Sequence, residues 1–560
     1  MAHSMVLVWL VAALTAPAVE PAGGFDVARQ LKGAGDETAA FRAVVAAHRH
    51  VRIPAGFAVT ISGGVPVPPG TLIEGPGTIH LTARDAGLRL GERCTVRDVT
   101  FTCALEFAHG SAIMIGHPTP GTVRKMDCRV SCCRFERMRG HALFASEVSH
   151  IVFEDNYWEN HSPNSLFFNP THLQAVNHSM VRGNTLLNGN QAVLFRGGSY
   201  NTITGNYIEN ALQAITCHTV GSHPQHWPFT LFAHNVIANN VIRRHREEGI
   251  AYDNSMGETP AVNAAQNQVR AVATVKTSTA TNENRFRITL NAPANPGKAY
   301  APNWADHYYV GFLTGSAAGM LLEVVASGVD GDGFIDLPRL SADLPGRIKP
   351  GDRVWVAAGC FYNTVSGNVV DNTGEVSGGG NATCIGLWGA AWHNQITGNT
   401  CTTRQYGITL GCVGLGPPES PQGPSVGNSI TSNTIAGSWR SATTKFEDRS
   451  VGAIAYCWIG EGPLLGGRMF LGNSITHNTI SWAGKNAFRL GRDRGSYVAF
   501  NRVSDDEAVI SLDHTSEAAF EGNRTMSGAL VQKAQSAGPC TYRFVGAAEQ
   551  GTPATRPAGK

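Results

Sequence analysis

The chain has 560 residues, of which 64 are glycine and 15% are charged, and its formal net charge is only +2. It is too long for one ordinary globular core, although a solenoid escapes that limit because each repeat packs only on its neighbours. No basic block stands out, which argues against attraction to nucleic acid, and a polyanion would have to be held by a local patch.

Residues Met5 to Val19 form an uncharged apolar run followed by small residues. The run is too short for a membrane span but suits a secretory signal over residues 1–22. The expectation is therefore a secreted or periplasmic protein that is soluble and free of the membrane after cleavage. The twelve cysteines form no spaced framework. Cys217, Cys384 and Cys457 lie inside apolar runs, as small buried hydrophobes would. Cys128, Cys132 and Cys133 are close enough together to include a disulfide in an exported protein, without a pairing that sequence can assign.

Next comes Gly35-Asp-Glu-Thr-Ala-Ala-Phe41, where Asp36 can cap a helix that runs on through Val44 and Val45 toward His50. Short strands broken by Gly and Pro follow, among them Thr71 to Gly75 and Gly77 to Leu81. The order Phe25-Asp-Val, the GDETAAF helix and the Val51-Arg-Ile-Pro-Ala-Gly strand resembles the N-terminal cap of the pectate-lyase-like superfamily of right-handed parallel β-helix proteins. That resemblance implies a fold shared by lyases, glycoside hydrolases, epimerases and phage tailspikes, and does not choose among them.

From about Val96 to Thr525 the phrase N-x-[IV]-x-x-N recurs, at 201–206, 235–240, 363–368, 394–399, 428–433 and 473–478, with weaker copies ending at Asn156, Asn184 and Asn501. Spacings of 22, 31 and 34 residues suit one solenoid turn with loops of varying length. Alternating apolar residues would fill a narrow core, while Asn tolerates left-handed backbone at turns and can stack as an amide ladder. The fold class is thus all-β: a right-handed parallel β-helix with an N-terminal capping helix, its first part at 23–265 and its second at 357–527. Residues 266–356 break the rhythm with strand-like runs such as Arg285 to Leu290 and Asp352 to Val356, and read as a small inserted antiparallel β-domain. Within it Asp330 to Asp336 has Phe334 where a calcium loop needs a ligand, and reads as a hairpin turn. Residues 528–560 are expected to hold a cap remnant and a loose tail.

Aligning the apolar run that closes each coil places one residue after every run in a common column: Ser146, Asn169, Arg196, His218, Asp253, Trp388, Gly411, Cys457, Gly491 and Asp513. If the second and fourth places of each run point inward, this column points out, and Arg196, His218 and Asp253 become neighbours on successive coils about 4.8 Å apart. Asp253 is then a candidate catalytic carboxylate, with His218 and Arg196 beside it to tune its pKa, move a proton or hold an anionic sugar. The alternative is a solvated ladder without chemistry. Trp388, and Trp227 and His226 in the 218–229 loop, are candidate sugar contacts. His218, His223 and His226 resemble a metal spacing, but no Cys or carboxylate is interleaved, so no metal site is assigned.

A hydrolase needs a second carboxylate. Glu247 and Glu248 qualify only if they fold back from the turn before the strand, because a straight strand would carry Glu247 about 20 Å from Asp253. Glu447 and Asp448 are the other candidates, and Glu248 is preferred. No cofactor is expected unless the protein is a lyase. In that case the resemblance implies that Glu247, Glu248 and Asp253 could hold calcium while Arg196 or His218 removes the proton. The reading is an exported carbohydrate-active enzyme, a glycoside hydrolase or glycan-cleaving transferase, acting on a polysaccharide or oligosaccharide. Its alternatives are a polysaccharide lyase acting on a uronic-acid polymer and a non-enzymatic glycan-binding solenoid, with room for an oligomer in each case.

Overall fold

A computed structural model describes residues 24–104, 110–116, 123–160, 169–218, 232–253, 269–292, 302–305, 308–357, 359–372, 383–413, 424–438, 452–459, 470–483, 486–504, 510–515, 517–537 and 540–545. The apolar leader at Met5 to Val19 and the candidates Trp227, His226, His223, Glu447 and Asp448 lie outside them. Among the described residues no helix is long and apolar enough to cross a membrane.

The chain winds as a solenoid in which each coil contributes one strand to each of three long parallel sheets, of 16, 14 and 14 strands, and later coils add one to a short seven-stranded sheet. One coil shows the path. Thr202–Thr204 lies in the first sheet, Tyr207–Glu209 in the second, Gln213–His218 in the third and Phe232–Ala233 in the fourth. Period-two alternation sends Ile203, Ile208, Ile215 and Cys217 inward, and their counterparts on every coil merge into one continuous core.

The repeated asparagines are buried between coils and hold them in register. The amide of Asn240 donates to Asn368 Oδ1, and the amide of Asn368 donates to Asn399 Oδ1, both at 3.0 Å. The carboxamides run in parallel, Asn240 Nδ2 to Asn368 Oδ1 and Asn368 Nδ2 to Asn399 Oδ1, at 2.9 Å each. A second ladder runs through Asn201, Asn235, Asn363, Asn394, Asn428 and Asn473.

The left-handed backbone expected at the ladder asparagines falls instead on the residue before them. Tyr200, His234, Tyr362 and His393 have φ between 55° and 61°. Their rings stack along the solenoid at centroid distances of 5.0 to 5.3 Å, which offsets the cost of that backbone region.

Coiling starts earlier than the asparagine phrase suggests. Phe25–Asp26, His50–Arg52, Leu72–Glu74 and Thr95–Arg97 already pair in parallel, and Glu74 bonds His50 and Arg97 of the coils before and after it. The helix Thr38–Ala47 lies beside the first coils. Asp36 accepts from the Thr38 amide at 3.0 Å and from the Ser62 hydroxyl at 2.6 Å, which ties the helix start to the solenoid. At the other end Ala534–Ala537 and Tyr542–Val545 continue the third and first sheets, so the segment read as a cap remnant holds a last coil. Cys128, Cys132 and Cys133 are free thiols, and burial pushes Cys128 and Cys133 up to about 12.

Between Ile250–Asp253 and Cys360–Phe361 the chain leaves to build a seven-stranded antiparallel sheet from Val269–Ala280 to Arg353–Ala357, around a separate core that includes Val275, Ile288, Ile335 and Val354. A third cluster seats this insert on the fourth sheet. Trp355 stacks on Trp392 at 5.5 Å and 10°, and both are fully buried. Gly311 is required at this contact, because a Cβ there would lie 2.4 Å from the Trp392 ring.

Candidate functional site

The third sheet carries the column read from the sequence. Gln174 pairs with Arg196, Arg196 with His218, His218 with Asp253, Asp253 with Trp388, Trp388 with Gly411 and Gly411 with Cys457. Further on, Gly491 pairs with Asp513 and Asp513 with Ala537. One member differs. Ser146 is followed by Gln174 rather than Asn169, because the strand of that coil is Thr171–Gln174, after Pro170. Arg196, His218 and Asp253 therefore occupy consecutive rungs, the last of them on the final solenoid strand before the insert.

Two residues back, a second row lies on the same outer side: Leu194, Thr216, Ala251, Gly386 and Thr409, paired coil to coil. Leu194, Thr216, Ala251 and Thr409 are absent from the core cluster, yet none is more than 1% exposed. This floor is small or apolar and shielded from bulk water, which strengthens electrostatic interactions made above it.

Trp388 is not an open sugar platform. It is 4% exposed, and Cβ atoms at Gly386 and Gly411 would fall 2.7 Å from its Nε1 and 2.0 Å from its Cε3. The ring thus spans two coils, in space that two glycines leave clear, and serves as a wall.

The structure does not bring Glu248 to Asp253. Its carbonyl accepts from the Ala214 amide, and the Gly249 amide donates to Thr383, so the backbone is already in line with the strand. Glu248 lies two residues before the strand Ile250–Asp253 with its backbone already paired to the adjoining coils, and an extended path from there to Asp253 spans roughly 16 Å, beyond the carboxyl separation of about 5 to 9.5 Å that glycosidases use. The Glu248 carboxylate is buried and accepts from Gln213 Nε2 at 2.6 Å, while Gln213 Oε1 accepts from Gln191 Nε2 at 2.8 Å and from Thr216 Oγ1 at 3.3 Å. This amide chain fastens three coils at their edge. Glu247 is half-buried beside it, and its amide donates to Leu212. His245, fully buried, has its pKa lowered to about 4 by loss of hydration, opposed by its bond to the Glu247 carbonyl and by Asp371. Among the described residues no three His, Cys, Asp or Glu side chains gather as a metal site would require.

Sequence reasoning passed over Gln174, Gln213 and His141. The first was hidden by a misplaced strand. The others sit at strand starts, one position before the apolar run that was aligned.

A family described as "Right handed beta helix region" matches residues 91–288. No curated protein sequence matches the chain. Solved structures with a similar course include the Dettilon tailspike protein, at 10% identity and TM-score 0.37, covering 90% of this chain and 66% of that one. The chain thus spans about two thirds of that tailspike. A GH87 alpha-1,3-glucanase catalytic unit from Streptomyces thermodiastaticus is 14% identical with TM-score 0.36, covering 95% and 69%. The tailspike of E. coli bacteriophage HK620, solved in complex with a pentasaccharide, is 10% identical with TM-score 0.39, covering 92% and 76%. At such identities the likeness concerns fold alone. Sheet order and family match together make this chain a right-handed parallel β-helix protein.

Proposed function

We propose that the protein is an exported carbohydrate-active enzyme that holds a polysaccharide or oligosaccharide along the outer side of the third sheet. Asp253 supplies the reacting carboxylate, His218 exchanges the proton and Arg196 pairs with charge on the substrate. One observation carries the reading: these three residues, far apart in sequence, stand on consecutive rungs of a single column. The shielded floor two residues back would support proton transfer there, since charge is little screened above it. Trp227, His226 and Asp448 are the further sugar contacts of this proposal. Glycoside cleavage by two carboxylates requires a partner for Asp253 other than Glu248, and Glu447 or Asp448 is that partner in this scheme.

A second reading is β-elimination on a uronic-acid polymer. It is favoured by the make-up of the column, in which one carboxylate stands next to His218 and Arg196 without a second acid on the adjoining rungs. Elimination needs a base and a charge-neutralising partner, not two acids. Calcium would belong to this reading only.

The test is turnover of a polysaccharide panel, followed by new reducing ends and by ultraviolet absorbance of unsaturated products. Asp253→Asn should lower the rate by at least about a hundredfold with an unchanged thermal melt. Full activity in that variant would remove Asp253 from the site. Absorbance would select elimination, and binding without turnover on every polymer would reduce the protein to a glycan-binding solenoid.

A further inference from the structure

Near its C-terminal end, five strands beyond the one that carries Asp253, the third sheet holds a second cluster of ionisable side chains that the proposed reaction leaves unused. At about 4.8 Å per strand the two places are roughly 24 Å apart. Arg489 lies on the strand Asn486–Gly491 and pairs with Ser511 on Ile510–Asp513 of the next coil. It is 4% exposed, and its guanidinium is directed at that next strand: Nη1 donates to Ser511 Oγ at 3.0 Å and Nη2 to Asp513 Oδ2 at 3.3 Å.

The other oxygen of Asp513 is engaged by His514, whose Nδ1 stands 2.5 Å from Oδ1. A carboxylate only accepts, so Nδ1 carries the proton and Nε2 keeps the lone pair of the neutral ring. His514 occupies the corner after the strand, with φ of 46°. Thr515, fully buried, ties that corner down by donating its hydroxyl to the Leu490 carbonyl at 3.1 Å. The side chain of His514 is 50% exposed and that of Asp513 17%. The carboxylate thus has a buried cation behind it and an accessible imidazole in front, while the Ser511 hydroxyl proton points away from the cation that its oxygen accepts from.

We infer that His514, Asp513 and Ser511 form a second reacting centre, which hydrolyses acyl esters carried on hydroxyl groups. Cleaving a glycosidic bond requires two carboxyl groups, one of them an acid at the leaving oxygen, whereas the carboxylate here is held by Arg489 and His514. Acyl transfer to water requires a base and a donor to the developing oxyanion. His514 Nε2 takes a proton from water as the water oxygen bonds to the acyl carbon, and the carbonyl electrons move onto their oxygen, which accepts from Ser511. The intermediate then collapses. The bond from the acyl carbon to the alkoxy oxygen breaks, and the proton on Nε2 passes to that oxygen, so that ester and water give alcohol and carboxylic acid. Asp513 and Arg489 are positioning residues that fix the tautomer and the carboxylate. None of this depends on Asp253.

The experiment follows acetate release from an O-acetylated xylooligosaccharide, in an Asp253→Asn background so that glycan cleavage does not contribute. His514→Gln should lower kcat by about a hundredfold or more, and added imidazole should restore part of the rate in His514→Gly. Ser511→Ala should lower kcat by about a hundredfold with a smaller effect on KM. Asp513→Asn should act likewise on kcat, with rescue by Asp513→Glu. Release no faster in the background protein than in its His514→Gln form would overturn the inference. A loss that imidazole leaves unrepaired in a folded His514→Gly protein would mark the ring as structural and overturn it too. Should Asp513→Asn fail to fold, the exposed His514 variants decide. Failure of the Asp253 site shows instead in glycan turnover, which this assay does not read.

Discussion

Asn368→Ala removes a rung from the middle of the inner ladder. In the intact protein Asn368 Oδ1 accepts from the Asn240 amide and from Asn240 Nδ2, while its own Nδ2 donates to the Ile237 carbonyl and to Asn399 Oδ1. The substitution therefore strands two buried donors on Asn240, and Asn240 is fully buried. Each orphaned donor costs about 1 to 3 kcal/mol, so the coil interface should weaken by about 4 kcal/mol. At about 1.4 kcal/mol per factor of ten, amides of the adjoining strands Val236–Ala238, Val241–Arg243 and Val369–Asn372 should exchange with deuterium roughly a thousandfold faster. Because a solenoid couples mainly nearest neighbours, peptides several coils away should keep their protection. Exchange within about tenfold of the parent in those strands would refute the assignment of coil cohesion to the ladder.

His245 should make stability fall with acid. Its folded-state pKa of about 4 lies below the ordinary value of 6.5, so its contribution is complete above pH 6.5 and is lost as pH falls toward 4. The loss approaches roughly 3 kcal/mol, and urea midpoints at neutral and acid pH should show a flatter dependence in His245→Gln. Gly411→Ala would place a Cβ 2.0 Å from Trp388 Cε3, so that the ring must swing away. About 1 to 3 kcal/mol of stability should be lost, with a red shift in tryptophan emission. Trp392→Ala empties the seat of the insert at a cost of about 3 to 5 kcal/mol. Because the insert has its own core, limited proteolysis should then release it as a resistant fragment, and unchanged resistance of the whole chain would contradict that seat.

The architecture was legible where one residue type recurs under one constraint. A buried amide that must both donate and accept between coils leaves little choice but Asn, and so 201–206 through 473–478 announced the stacking. The first coils were not announced, because no asparagine occurs before Asn156. The column of Arg196, His218 and Asp253 emerged because strand alternation is periodic. Asn169 was misplaced because Ser165 to Phe168 imitates a closing run while the pairing strand begins at Thr171. Burial is a property of neighbours rather than of the residue. Trp388 is enclosed because Gly386 and Gly411 leave its ring room against the sheet, and the Glu248 carboxylate is engaged by Gln213, neither of which the residue type alone reveals.

The insert sets the order in which coils can join. Most ladder partners lie 22 to 45 residues apart, but Asn235 and Asn363 are separated by 128. Closing so long a loop costs about 1.2 kcal/mol more than closing one of 32 residues. The insert removes much of that handicap, because its first and last strands pair with each other, Val269 opposite Ala357. Once folded, it returns the chain beside the point where it left. Early folding of the insert would therefore bring the two halves of the solenoid together, and mutations in its own core should delay the pairing of Asn235 with Asn363.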